Sequence, residues 1–200
     1  QLGMETAAFS LSCVMVGWLG TLPLAAHQVT ITISQLFYLI LFGMATAISI
    51  RISHFAGQND IEGIKANSKD GFRLVLFCSL LLSIPTLIFR NQLGALFSSN
   101  VEVQQIVGML IIVLIIYQFG DGMQYTFSNA LRGISCVKPL VPCAFIAYFL
   151  VSLPLGYVLG FIANLGILGI WLAFPFGLTL AGVLYWQRFR KELKKLEGRK

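Results

Sequence analysis

Charged side chains are scarce in this 200-residue chain. Lys and Arg total 14 and Asp and Glu total 8, so only 11% of the residues are charged, whereas soluble globular proteins average about 25%. Hydrophobic side chains make up 57% and occur in long uncharged runs. This composition excludes an ordinary soluble domain and predicts an all-α integral membrane protein with several spans.

Motifs for enzymatic chemistry are also missing. The four cysteines, at positions 13, 78, 136 and 143, have no metal-type spacing, so we expect them to pack as small apolar side chains. The sequence has no Gly-x-Ser-x-Gly elbow, no His-Glu-x-x-His motif and no P-loop. We therefore expect a protein that is not an enzyme and has no cofactor, and whose work is driven by an ion gradient or by another subunit.

A charged first region of the kind that opens a signal peptide is also missing from the start of this sequence, so we do not expect residues 2–19 to be one. The chain begins at Gln1, and residues 2–19 are already apolar. We expect that the sequence begins inside a membrane helix and is part of a longer protein.

Six membrane spans are predicted along the chain. They cover about residues 2–19, 24–50, 71–89, 103–131, 140–160 and 166–186. Residues 53–69 are predicted to form a polar, solvated connector, and residues 188–200 a basic cytoplasmic tail after a transmembrane region of residues 1–187.

The basic residues are distributed unevenly among the connections. All 14 except Arg90 lie in or beside the second-to-third connection, the fourth-to-fifth connection and the tail. By the positive-inside rule, both ends of the chain are therefore predicted to be cytoplasmic. Basic loops above anionic lipid headgroups also account for the net charge of +6 without a nucleic-acid partner.

Asp121 is the only charged residue between Glu102 and Arg132. It precedes Arg132 by eleven residues, roughly 16 Å along a helix, which places it near the middle of the hydrocarbon core if Arg132 marks the membrane edge. A carboxylate is costly there and usually functional. We expect Asp121 to be protonated, to pair with another helix or to hold a cation, and a hydrogen-bonded packing role is the alternative.

A second acid, Glu5, lies in the first span. Measured back from Pro23, it differs in depth from Asp121 by about 10 Å if the outer turn lies within the hydrocarbon, and it approaches mid-depth if that turn projects beyond it. Two carboxylates in one site would suit uptake of a proton or its replacement by Na⁺, a hard cation that prefers oxygen ligands. The alternative for Glu5 is a helix-end carboxylate at the membrane interface.

Polar side chains mark one face of the second span. Gln28, Thr32 and Gln35 fall at i, i+4 and i+7. Such a face either lines a cavity or forms hydrogen bonds between helices.

Five segments resemble, in chain order, the multidrug and toxic compound extrusion (MATE) transporters. They are Met-Glu-Thr-Ala-Ala-Phe at 4–9, Leu-Ala-Ala-His-Gln at 24–28, Gln-Phe-Gly-Asp-Gly-Met-Gln at 118–124, Ala-Leu-Arg-Gly at 130–133 and Pro-Leu-Gly-Tyr-x-Leu-Gly at 154–160. The likeness is to the second half of the family, so residues 1–187 resemble the C-terminal six-helix lobe, helices seven to twelve. The first lobe is absent from this sequence.

The resemblance implies a Na⁺- or H⁺-coupled antiporter in the cytoplasmic or plasma membrane that exports cationic, often aromatic compounds. It implies that Glu5 and Asp121 bind the coupling cation, with Na⁺ held by these two acids if sodium is used, and that Tyr117 belongs to the same site. The family's shared cavity also implies that the acids lie at a common depth. The substrate-cavity candidates are Phe9, Gln28, Thr32, Gln35 and Gln124. The implied partners are small cationic compounds, membrane lipid and the N-terminal lobe of the same protein.

Two alternatives stay open. A related flippase of lipid-linked sugars would be expected to carry several cationic residues in its cavity, and no Arg or Lys is placed mid-span here. The other alternative is a membrane fragment or scaffold that transports nothing.

Overall fold

The computed structural model describes residues 2–198, and these residues form helices and short connections without a strand. The first five helices in chain order are α1 (Leu2–Gly17), α2 (Thr21–Gly57), α3 (Ile61–Ile88), the short α4 (Arg90–Phe97) and α5 (Val101–Gly133). The last helix of the chain is α8 (Gly166–Glu197). Between α5 and α8 the segment Leu140–Ile162 is helical throughout. It consists of α6 (Leu140–Phe145), a π-helix (Ile146–Ser152), α7 (Leu153–Tyr157) and a second π-helix (Val158–Ile162). The all-α prediction is confirmed.

Five of these elements are long and apolar enough to cross a membrane. They are α2, α3, α5, the segment Leu140–Ile162 and α8. With α1, a shorter apolar helix, they reproduce the six predicted spans in number and order.

The connection between α2 and α3 is much shorter than predicted. The prediction of a solvated connector over residues 53–69 is wrong, because α2 continues to Gly57 and α3 begins at Ile61. Asp60 caps α3 by accepting a hydrogen bond from the Gly63 N–H at 2.9 Å. The first turns of α3 carry charged residues on exposed positions. A prediction from hydropathy alone therefore begins this span at residue 71, ten residues after the helix begins.

The last helix crosses the predicted boundary between span and tail at 187/188 without a break. α8 continues to Glu197, and Phe189 and Leu193 are buried. The short helix α4, which the sequence did not indicate, follows α3 directly and packs near the start of α5.

α5 lies at the centre of the bundle, in contact with α2, α3 and α8. Glycines allow these close approaches. A side chain at Gly120 would meet Thr179 of α8, one at Gly122 would meet Val75 of α3, and one at Gly133 would meet Ile52 of α2. The helix that carries Asp121 is therefore enclosed on several sides by protein.

The segments predicted to be cytoplasmic lie at one end of the bundle. The Ser53 hydroxyl donates to the Gly133 carbonyl at 3.1 Å, and Lys65 of α3 forms an ion pair with Glu197 of α8. Residues 134–138 face Glu192 across a small cavity at the same end. The fold therefore groups the basic segments as the positive-inside rule requires, while the orientation in the membrane stays a prediction.

Candidate functional site

A cavity of about 310 Å³ opens between α1, α2 and α5. One carboxylate and four aromatic rings give this cavity its chemical character, and its described lining includes no Lys or Arg. Its lining residues are Glu5, Thr6, Phe9, Ile31, Ser34, Gln35, Tyr38, Tyr117 and Tyr125.

Glu5 reaches this cavity from α1 and bonds to α5. Its side chain is buried, and it accepts hydrogen bonds from the Tyr125 hydroxyl at 2.8 Å and from Gln124 Nε2 at 3.4 Å. Tyr125 follows Asp121 by one helical turn, about 6 Å along the axis. Glu5 therefore meets α5 on the Tyr125 side of Asp121, and the depth difference of about 10 Å between the two acids stays a prediction. Glu5 also lies in the first turn of α1, so the interface alternative stays a prediction.

Asp121 is 2% exposed, and its Oδ1 atom has no hydrogen-bond partner within residues 2–198. In the same part of the chain, no Lys or Arg forms an ion pair with it. It does not line the cavity itself, but Tyr117 and Tyr125, one turn to either side, do. An ionised carboxylate without a partner is strongly disfavoured in such a place, so this group requires a proton or a cation.

Aromatic rings form the wall beside the acids. Phe9 stacks on Phe174 with ring centroids 4.8 Å apart. The Tyr117 ring packs edge-on against both of these rings, with a centroid distance of 6.4 Å in each case. Tyr38 lies edge-on to Tyr125 at 5.4 Å. Aromatic faces attract organic cations through their quadrupoles, so this wall suits a flat cationic compound.

The other predicted residues are distributed unequally around the cavity. Gln35 lines it, whereas Gln28 and Thr32 do not. Gln28 Nε2 donates to Cys13 Sγ at 3.4 Å, and the Thr32 hydroxyl donates to the Gln28 carbonyl at 2.9 Å. Gln124 is fully buried behind the lining, where it bonds to Glu5.

Two tyrosines of the lining were not among the site candidates. Tyr38 follows Gln35 by three residues, and Tyr125 follows Asp121 by four, so each shares a helical face with a predicted site residue. Helical spacing from the chosen residues would have found both.

Oxygen atoms dominate the potential ligands near the two acids. No three His, Cys, Asp or Glu side chains come together as a metal site in the described chain. A Na⁺ ion at Glu5 and Asp121 would therefore need neutral oxygens as well. Gln124 Oε1, which is buried without a partner among the described residues, and the nearby tyrosine hydroxyls fit that need.

Comparison with known proteins identifies the family. The MatE family profile matches residues 3–158, more than half of the sequence. The chain belongs to the MatE family.

Curated relatives of this MatE-family chain include bacterial proteins named multidrug resistance protein NorM. The chain is 37% identical over 184 residues to the one from Aliivibrio fischeri, covering 90% of this chain and 40% of that protein. It is 32% identical over 190 residues to the one from Photobacterium profundum, covering 93% and 42%. The chain thus spans about 40% of the length of the curated relatives it matches.

Solved MATE structures share the fold. The eukaryotic MATE transporter AtDTX14 superposes with a TM-score of 0.86 at 21% identity, covering 96% of this chain and 44% of that one. An outward-facing multidrug resistance MATE family transporter gives a TM-score of 0.88 at 17% identity, covering 99% and 44%. This MatE-family chain therefore has the fold of a little under half of a MATE transporter, and it is a multi-pass membrane protein.

Proposed function

We propose that this chain is one lobe of a cation-coupled multidrug antiporter. In this proposal Asp121 and Glu5 bind Na⁺ or H⁺, and the cavity beside them receives a cationic, often aromatic compound. The observation that carries the proposal is the buried Oδ1 atom of Asp121, which has no partner within residues 2–198 and lies one turn from two tyrosines of the cavity wall.

The lining of the cavity supports a cationic cargo. It presents Glu5 and aromatic rings, and the described lining has no Lys or Arg that would hold a pyrophosphate. This composition favours a drug exporter over a flippase of lipid-linked sugars. The curated relatives are named multidrug resistance proteins, which agrees with that cargo.

The two acids link cation binding to export. A proton or Na⁺ at Asp121 and Glu5 neutralises charge that a cationic compound would otherwise attract, so the two ligands compete. Each ligand shifts the balance between inward-open and outward-open states only by its difference in affinity for them. Rocking of this lobe against an N-terminal lobe across the cavity then exposes the cavity to either side of the membrane.

The membrane setting follows from the charge distribution. The basic end of the bundle faces the cytoplasm of the inner or plasma membrane, and both ends of this chain lie on that side. The N-terminal lobe of the same protein completes the cavity.

Efflux from vesicles that contain the complete protein tests this function. Na⁺ and pH gradients are imposed separately, and a fluorescent organic cation reports export. Asp121→Asn is expected to abolish coupled export, because the amide carries no charge to exchange for a cation. Asp70→Asn is the matched control, since Asp70 is 71% exposed and its one ion pair within residues 2–198 is with Arg73 of its own helix.

Equal export by Asp121→Asn and the parent protein would contradict the assignment. An equal loss of coupled export in Asp70→Asn would mean that removing any acid impairs transport, and the effect of Asp121→Asn could then not be assigned to this site. Gel filtration and thermal melting of each variant separate a transport defect from misfolding.

A further inference from the structure

A second and larger cavity, of about 650 Å³, lies between α3 and α8 at the basic end of the bundle. Basic side chains and apolar side chains share its walls. Its lining includes Lys65, Lys69, Arg190 and Lys194, one acid, Glu197, and the apolar residues Phe72, Met123, Phe127, Val183, Trp186, Phe189 and Leu193.

This cavity opens away from the candidate transport site. Met123 and Phe127 of its floor each lie two residues from Tyr125, which is about 160° around α5. Tyr125 faces the first cavity. A molecule in the second cavity therefore arrives from the lipid or the aqueous phase at the basic end, and not through the transport site.

Polarity changes in the same direction along both walls. On α3 the lining passes from Lys65 and Lys69 to Phe72, about 10 Å along the axis. On α8 it passes from Lys194 and Arg190 through Trp186 to Val183, about 16 Å along the axis. The cavity is thus cationic near the helix ends and apolar toward the middle of the spans.

Two of the four cations lack partners in the structure. Lys65 bonds to Glu62 at 3.0 Å and pairs with Glu197, and Arg190 lies over the Trp186 ring at 4.9 Å. The side chains of Lys69 and Lys194 form no ion pair or hydrogen bond within residues 2–198. Both line the cavity, Lys69 from α3 and Lys194 from α8, so an anion bound there would meet positive charge from both walls.

The floor is preformed and apolar. Phe127 and Phe189 are buried, and the Phe72 and Phe127 rings pack at 5.3 Å. A free phosphate would use the cations but leave this floor without a partner. A phospholipid would use both parts, because its phosphate and its acyl chain follow one another in the same order as the walls.

We propose that this cavity binds one anionic phospholipid. Its phosphate lies between Lys69 and Lys194, and an acyl chain packs against Phe72, Met123 and Phe127. Basic pockets beside membrane helices are a recurring way to hold acidic headgroups, and each added cation strengthens the attraction.

Native mass spectrometry of the complete protein tests the proposal. Phosphatidylglycerol and phosphatidylcholine with identical acyl chains are titrated in parallel, and phosphatidylglycerol is expected to form the more abundant one-to-one complex. Lys69→Ala with Lys194→Ala should weaken that complex at least about tenfold. Lys138→Ala with Lys191→Ala is the control, because it removes the same charge from the same end without touching the lining.

A third variant separates lipid from free anion. Val183→Trp fills the apolar floor and leaves all four cations, so it should weaken phosphatidylglycerol binding while the lysine control binds as the parent does. Glycerol 3-phosphate is added as the competing soluble anion and is expected to displace little lipid.

Three results would overturn the proposal. Equal weakening by the two lysine pairs would mean diffuse attraction instead of a site. Equal binding of the two lipids would remove the role of headgroup charge. Full displacement by glycerol 3-phosphate at the lipid's own concentration, with no effect of Val183→Trp, would make the cavity a phosphate site.

Discussion

α5 and α8 differ sharply from α2 and α3 in how much of their surface the protein covers. In the most apolar stretch of each helix, 61% of the residues of α5 and α8 are buried, compared with 22% for α2 and α3. α3 exposes a row of large apolar side chains, namely Leu74, Phe77, Leu81, Ile84 and Ile88. The central pair is thus fixed by protein contacts, while the outer pair presents apolar surface that suits lipid or a second lobe.

Polar groups follow the same division. In the central helices, polar atoms such as those of Asp121 and Gln118 are enclosed by protein and partly unpartnered among the described residues. At the helix ends, acids such as Glu62 pair with lysines one turn away and stay exposed. A carboxylate at the centre is therefore suited to exchange a ligand, whereas exposed ion pairs of this kind contribute little to stability.

The largest effect on stability is expected where central elements touch. A methyl group at Gly169 of α8 would collide with the Leu159 carbonyl group of the neighbouring segment, which is backbone and cannot rotate away. Gly169→Ala should therefore lower the free energy of unfolding by about 3 kcal/mol. Thermal melting of the purified complete protein measures the change.

Gly43→Ala is the matched variant in the outer region. Gly43 lies in the middle of α2 with no atom within 4 Å of an added methyl group. Removing backbone freedom there should stabilise the helix by about 0.5–1 kcal/mol. Similar melting temperatures for the two variants would end the distinction between a close-packed centre and an open edge.

A smaller effect is expected from the hydrogen bond between Tyr125 and Glu5. Tyr125→Phe removes the donor at 2.8 Å and leaves a buried carboxyl oxygen less well satisfied, which should cost about 1–3 kcal/mol. Tyr148→Phe is the control, because the Tyr148 hydroxyl is buried without a partner within residues 2–198. Its loss should be neutral or stabilising. A larger drop in melting temperature for Tyr148→Phe would mean that the Glu5 bond does not secure α1 to α5.

The number and order of the spans could be predicted because each is a long apolar run. The burial of Asp121 could be predicted for a similar reason, since it is a lone charge far from both ends of its run. Neither inference needs knowledge of how the helices tilt. The alternation of α- and π-helix in Leu140–Ile162 has no comparable signal, because the sequence is uncharged throughout that segment.

Position along the helix decides which polar residues reach the cavity. Gln28 and Gln35 lie on the same face of α2 but about 10 Å apart along it. Only Gln35 lies at the level of Glu5 and Tyr38, so only Gln35 lines the cavity. Periodicity identifies a face, whereas the depth at which a face meets a neighbouring helix is a tertiary property.

The smallest effect is expected from the ion pair between the outer and central helices. Lys65 of α3 pairs with Glu197 of α8, and both side chains are about two-fifths exposed. Exposed pairs are weak and are screened by salt. Lys65→Ala should therefore lower the melting temperature by less than Tyr125→Phe does, and the difference from the parent should vanish in about 1 M salt, where the screening length is about 3 Å.

Lys195→Ala is the control. It breaks a pair with Glu192 on the same helix and so removes an ion pair that does not link two helices. A salt-resistant loss in Lys65→Ala alone would mean that this pair holds α3 to α8 more strongly than an exposed ion pair does, and the outer helix α3 would then be fixed to the central helix α8 by a polar contact.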